Sequence, residues 1–262
     1  MPGLKTRKYK LIIAYDGSAY QGWQWQKTGL GVQQKVEEAL AHYFPSAPRL
    51  HSSSRTDRGV HALGMAAHFG IPLTDGKLPA ARLALALNHF LPDDIRVLGA
   101  ARAPEKFHAR FNATGKQYRY FIWNHPVMNP LLRGRAWHVP VKLDWDKMRA
   151  AAKLLVGRHD FKSFSAAHSY EVKNTVRTLT RCSLRKSGAN LTVTLEGDGF
   201  LYKMCRCIVG TLVQVGQGKF SPDDIQTLLA RAEHRVAGMN APAMGLVLWQ
   251  VFYKRLKAEV TK

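Results

Sequence analysis

The sequence predicts an α+β fold built as two ferredoxin-like, RRM-like lobes, and three observations carry that prediction. Apolar periodicity switches repeatedly between two residues and about 3.6; the first half runs β-α-β-β-α-β; and the second half again mixes helices with strands suited to an antiparallel sheet. Two such sheets meeting edge to edge would give one extended sheet, with helices on one face and a central basic cleft. At 262 residues and 46% hydrophobic composition, the chain can bury a full core as one large domain or two lobes sharing an interface. The boundary is placed between residues 1–105 and 106–262.

In the first lobe, Tyr9 to Tyr15 forms a strand that stops at Asp16-Gly17. Val32, Val36, Ala39, Leu40, Tyr43 and Phe44 then mark a helix face, with Pro45 and Pro48 ending it. A short strand near Leu50 leads into a turn at Ser53 to Ala62, after which Leu63, Met65, Ala67 and Phe69 alternate as the next strand. A helix from about Pro79 to Phe90 and a strand at Ile95 to Leu98 complete the lobe.

The second lobe opens with a strand, Gln117 to Trp123, which places Tyr118, Tyr120 and Ile122 on one side and Arg119, Phe121 and Trp123 on the other. Tyr120 and Phe121 suit a core, whereas Tyr118 is better placed to meet a ligand. Irregular chain with Pro126, Pro130 and Gly134 precedes a helix from Asp144 to Val156. Strands at Thr178 to Arg185 and Leu191 to Gly197 lead to a helix from Leu201 to Gly216, a further helix after Ser221-Pro222, and a last strand, Leu246 to Tyr253. The Lys254 to Lys262 tail is expected to fray.

Charge points to the partner class. Lysine and arginine number 39 against 18 acids, a net of +21 with a pI near 10.2, and such a field favours polyanions. Three cysteines, Cys182, Cys205 and Cys207, make neither a disulfide framework nor a zinc pattern and suit a reducing cytoplasm. No apolar run approaches the length of a membrane span, so no membrane partner is expected.

Within this basic chain, Arg55-Thr56-Asp57-Arg58-Gly59 sets one carboxylate between two arginines on a turn flanked by apolar runs. Asp57 is the candidate catalytic acid, although a turn-forming aspartate is the ordinary reading of such a position. The Leu201 to Gly216 helix has an apolar face and a polar stripe of Lys203, Arg206, Gly210, Gln214 and Gln217 that could face a groove. Gly197, Gly199 and Phe200 would let that helix begin close to a ligand, and Arg206 is the candidate partner of Asp57. Tyr15 to Gln26 packs aromatics and amides into a loop able either to touch nucleic acid or to cap a core.

Taken together, these segments resemble one family. Arg55-Thr56-Asp57 with Gly59-Val60-His61-Ala62 is similar to the signature of the TruA-type tRNA pseudouridine synthases. Ordered matches follow at Tyr15-Asp16-Gly17, Gly22-Trp23-Gln24, Phe107 to Phe111, Tyr118-Arg119-Tyr120, Phe200 with Met204 and Arg206, and Gly245-Leu246. The resemblance implies an isomerase that converts uridine to pseudouridine at positions 38, 39 and 40 of the tRNA anticodon arm, without cofactor or metal, and a homodimer that holds one tRNA across both subunits. It makes Asp57 the essential acid, acting either by addition to C1′ or by removal of the C2′ proton. Substrate-binding roles fall to Tyr118 (stacking on the base, with help in removing the C5 proton as a further role), Arg206 (keeping Asp57 charged and oriented), Leu246 (apolar wall) and Arg55 (extruding the nucleotide). Arg58, Lys203, Arg119 and Gln24 are the further RNA contacts expected. Ser54, Arg58 and Cys207 depart from the family's usual glycine, alanine and asparagine. A non-catalytic basic tRNA- or RNA-binding protein is the alternative that charge and interleaved aromatics alone would satisfy.

Overall fold

The computed structural model describes residues 6–44, 46, 49–74, 78–166, 174–231, 233 and 237–254. Along the first half run β1 (Thr6–Tyr15), α1 (Val32–Ala41), β2 (His51–Ser52), β3 (His61–Pro72), α2 (Ala80–Phe90) and β4 (Ile95–Ala103). The second half adds β5 (Ala113–Trp123), β6 (Trp137–His138), α3 (Trp145–Leu154), β7 (Gly157–Asp160), β8 (Val176–Ser187), β9 (Asn190–Gly197), α4 (Met204–Gly216), α5 (Asp224–Arg231) and β10 (Leu246–Tyr253). The α+β class read from periodicity is the class observed.

All ten strands join one sheet. Its main path is β4-β1-β3-β10-β5-β9-β8-β7, with β2 added beside β3 and β6 beside β5. The first half alone has the spatial order β4-β1-β3-β2 that a split β-α-β unit requires. Neighbouring strands are antiparallel except β10 with β3 and β6 with β5. The last strand of the chain therefore sits between the two halves and makes the sheet continuous.

Register explains where the site falls. Tyr15 pairs with Ala62, Ala62 with Leu248, Leu248 with Tyr118, and Tyr118 with Leu195. Paired residues share a face, and all five are buried. Tyr118 thereby comes within two strands of the turn that precedes β3, although 61 positions separate it from Asp57 in sequence.

One face of the sheet carries the core. In β1, Tyr9, Leu11, Ile13 and Tyr15 are buried while Lys8, Lys10, Ile12 and Ala14 are half-exposed, the alternation its sequence predicts. At the end of β1 the Asp16 carboxylate accepts from the Ser18 amide and hydroxyl, which turns the chain. Asp144 caps α3 by accepting from the Lys147 amide at 3.1 Å, so this helix begins at Trp145 rather than at Asp144 itself.

Several readings need correction. Leu63 was expected on the inward face of β3, but it is 42% exposed while its neighbours on both faces are buried. Between the pairs Tyr15–Ala62 and Ile13–Met65 the ladder shifts, with one extra residue on β3, and this bulge takes Leu63 out of the alternation that Met65, Ala67 and Phe69 keep. Phe121 is half-exposed and tilts against Trp249 with ring centres 6.3 Å apart, so it belongs to the open face of the sheet. The helix expected from Leu201 starts at Met204, because Lys203 takes a left-handed φ of 60° before it. β6 and β7 were not foreseen. β6 has two residues and β7 reads Gly-Arg-His-Asp, without an apolar period. Pro45, Pro48 and the tail beyond Lys254 lie outside the described residues.

Candidate active site

Asp57 lies in the turn between β2 and β3, and the loop after β1 fixes that turn from below. The Val60 amide donates to the Asp57 carbonyl at 3.1 Å, and Gly59 supplies the φ of +74° that closes the turn. Trp23 N–H donates to the Thr56 carbonyl at 3.2 Å, and the Tyr15 and Thr56 hydroxyls share a buried hydrogen bond of 2.7 Å. Close approach is what the glycines of the β1 loop permit: a Cβ on Gly17 would stand 2.1 Å from the Val60 carbonyl oxygen. On Gly22 it would stand 2.5 Å from the Thr56 oxygen. Tyr15, Tyr20 and Trp23 are buried here, so most of this aromatic loop caps the core. Gln24 reaches the cleft instead.

Arg206, on the first turn of α4, faces the acid. Its Nη1 donates to Asp57 Oδ2 at 3.2 Å, and its Nε donates to the Ala241 carbonyl at 2.7 Å. The Ala241 amide in turn donates to the Arg206 carbonyl at 3.0 Å. The guanidinium is thus clamped at one edge while the other edge holds the carboxylate. Asp57 keeps 22% of its side chain open and Arg206 16%, enough for a ligand to reach the pair.

Both residues line a cleft of about 890 Å³, together with Gln24, Arg55, Tyr118, Lys203 and Leu246. Among the described residues, seven lysine or arginine side chains line it against one carboxylate, Asp57. That balance is the electrostatic signature of a site for an anion, with the lone acid free to act on what the cations retain. The Tyr118 ring meets Phe200 edge-on at 5.1 Å. Burial pushes its phenol well above the usual tyrosine range, with the Cys205 thiol adding to this and Ser54 opposing it, so Tyr118 rests as a neutral phenol. Burial and the nearby Asp57 likewise raise the Cys205 thiol, which removes a thiolate nucleophile from the site.

The expected residues do not all converge. Asp57, Arg55, Tyr118, Arg206, Leu246, Lys203 and Gln24 share the cleft, whereas Arg58 and Arg119 are not among its lining residues. Arg58 points outward from the turn and is exposed. Arg119 alternates to the opposite face of β5, where its guanidinium stacks 3.8 Å from the Trp249 ring centre. Any contact these two make with RNA is outside this cleft. The polar stripe of α4 also divides. Lys203 and Arg206 face the cleft, but Gly210 and Gln214 grip the 237–241 segment, with Gln214 Oε1 accepting from the Met239 amide at 2.8 Å. Of the three departures from the family pattern, Ser54 lines the cleft, and Cys207 is buried with its Sγ 3.7 Å from the Gly238 carbonyl.

Lys116, with Arg49, Arg110 and Arg177, is a cleft cation that the sequence reading missed. It lies on the cleft floor and donates to the Ser53 carbonyl at 2.9 Å. The signal was present: with Tyr118, Tyr120 and Ile122 placed inward on β5, a period of two puts position 116 on the same face.

The family model of tRNA pseudouridine synthases matches residues 11–112 and 151–254. Over 248 residues the chain is 45% identical to tRNA pseudouridine synthase A of Bacillus pumilus, covering 94% of this chain and 99% of that protein. The proteins of the same name from Syntrophotalea carbinolica and Geotalea uraniireducens are 47% identical over 244 residues and 44% over 247. Those alignments cover 93% and 94% of this chain, and 95% and 100% of the respective relatives.

Proposed function

The chain belongs to the tRNA pseudouridine synthase family, and on that premise we propose that it isomerises uridine at positions 38, 39 and 40 of the tRNA anticodon arm, with Asp57 as the essential acid. One observation supports this most directly: the Asp57 carboxylate, held 3.2 Å from Arg206, is, among the described residues, the single acid in a cationic cleft. A uridine inside a helix cannot reach such a group, so the nucleotide must be extruded at a cost of about a few kcal/mol. Arg55, exposed at the rim, is suited to hold the helix from which it leaves.

The reaction is an internal rearrangement. The N1–C1′ bond breaks, the uracil turns, a C5–C1′ bond forms, and one proton leaves C5 while N1 gains one, with no oxidant or reductant required. Asp57 acts at the ribose, and Arg206 fixes which way its oxygens point. Tyr118 and Leu246 form the walls that hold the detached base, because diffusion away would end the cycle. Tyr118, as a neutral phenol, does so as a stacking surface and hydrogen-bonding group rather than as a standing base. The tRNA is gripped across both subunits of a homodimer, with Lys203 and Gln24 at the cleft mouth and Arg58 and Arg119 outside it.

Incubating an unmodified tRNA transcript with the protein and mapping pseudouridine tests the reading. Wild type forms the product at one or more of the three positions, and Asp57→Asn loses at least about 10³-fold in rate while still binding tRNA. Tight binding without product from wild type would establish a non-catalytic RNA-binding protein instead.

A further inference from the structure

Apart from the Asp57–Arg206 pair, the cleft contains cations that no acid balances. Lys116 on β5, Arg110 just before that strand and Arg177 near the start of β8 all line it. Among the described residues none of the three forms an ion pair with a carboxylate. The side-chain bonds of Lys116 and Arg177 go to neutral oxygens. The Lys116 ammonium donates to the Ser53 carbonyl at 2.9 Å, and the Arg177 guanidinium donates to the Asn174 and Val176 carbonyls at 3.1 and 2.6 Å. Those contacts fix where the charges sit without cancelling them. Beside Ser53, the buried Ser54 hydroxyl lines the same cleft and lies next to the Tyr118 phenol.

A buried ammonium beside two guanidinium groups, one exposed at Arg110 and one half-exposed at Arg177, is unfavourable unless an anion joins them. The strain shows in Lys116, whose ammonium is pushed down to about 8 by burial first and by Arg110 and Arg177 after it, with the Cys205 thiol opposing. These three groups are the charged and titratable neighbours facing it.

We propose that Lys116, Arg110 and Arg177, with the Ser54 hydroxyl, form a phosphodiester subsite that holds the RNA backbone phosphate beside the extruded nucleotide. The inference rests on the tRNA reading above and adds the group that sets the ribose against Asp57. Position supports it: Lys116 is two residues from Tyr118 on the same face of β5, and its anchor, Ser53, is four residues before Asp57. A phosphate held there would tie together the two walls between which the nucleotide must sit.

The test measures binding, so that it does not depend on catalysis. In an Asp57→Asn background, the affinity for an unmodified tRNA transcript is followed against salt and pH, with Lys116 intact, Lys116→Met or Lys116→Arg. Lys116→Met is expected to weaken binding about tenfold and to lower the slope of log affinity against log salt by about one. Lys116→Arg restores both. With lysine present, phosphate raises the ammonium's proton affinity, so binding is full below pH 8 and declines above it. The arginine variant, which stays charged, loses that alkaline decline. A transcript with a neutral methylphosphonate next to the target uridine reproduces the Lys116→Met loss and is insensitive to that substitution. An unchanged salt slope in Lys116→Met, or failure of arginine to rescue a folded protein, overturns the proposal. If Lys116→Met does not fold, Arg110→Ala and Arg177→Ala carry the same slope test. Inorganic phosphate should compete no better than chloride at equal ionic strength; specific competition would make this a free-phosphate site and overturn the RNA assignment. Absence of pseudouridine from wild type would instead sink the isomerase reading and leave these binding outcomes as they stand.

Discussion

Arg206 makes two directional contacts at once, and the geometry of each depends on the other. Its Nε is committed to the Ala241 carbonyl, which leaves Nη1 at a fixed angle to Asp57. A lysine has one point of charge on a flexible stem and cannot serve both acceptors with that geometry. Arg206→Lys is therefore expected to cost about 10²-fold in single-turnover rate, the scale of a misplaced catalytic group, with little change in tRNA affinity. A rate within about threefold of wild type would show that orientation of the carboxylate is not what Arg206 provides. At this scale the sequence was most informative about Asp57, Arg206 and Tyr118, because each stands in a short local pattern whose ends can be recognised. It was least informative about Arg58 and Arg119, where charge was legible but direction was not. A turn residue faces outward or inward according to what packs beneath it, and Arg119 went to the far face by the simple alternation of its strand.

At the scale of elements, α4 shows how periodicity can identify a polar stripe without revealing what covers it. Gly210 belongs to that stripe, yet a Cβ there would stand 1.6 Å from the Met239 carbonyl oxygen. In an exposed helix, glycine to alanine would gain up to about 1 kcal/mol. Here the clash reverses the sign, and Gly210→Ala is expected to destabilise by about 1–3 kcal/mol, read from the urea midpoint. It should also slow turnover, because the displaced 237–241 segment carries the Ala241 carbonyl that clamps Arg206. A more stable protein with full activity would mean that this segment is not held as described. Strand existence was legible wherever one face is buried, as in β1, β5 and β9. β3 was legible as a strand through Met65, Ala67 and Phe69, and only the facing of Leu63 escaped the reading, whereas β7 went unseen because an edge strand of Gly-Arg-His-Asp is held by its partner's backbone rather than by its own side chains.

For the whole molecule, the decisive element is the last strand, since β10 inserts between β3 and β5 and joins the part that carries Asp57 to the part that carries Tyr118. Its sequence could be read as a strand, but its parallel pairing with β3 could not, because nothing local specifies a partner nearly 190 residues away. Only two residue pairs, Val247 with His61 and Leu248 with Ala62, make that junction. The His61 ring supports it by accepting from the Gly17 amide at Nδ1 and donating from Nε2 to the Met244 carbonyl. Leu248 is fully buried at the junction, with Ala62 on one side and Tyr118 on the other. Leu248→Ala should therefore act twice. The cavity is expected to cost about 2–5 kcal/mol, a large share of the roughly 5–15 kcal/mol by which a domain is normally stable. Loosening the same junction lets the Asp57 turn drift relative to Tyr118, so turnover should fall by more than tRNA affinity, measured well below the melting temperature where the variant is folded. A comparable truncation remote from the junction, Leu228→Ala in α5, controls for stability, since Leu228 is also buried but lines no part of the cleft. If the two variants lose stability alike and Leu248→Ala keeps full turnover, the two sides of the cleft are aligned by something other than the strand between them.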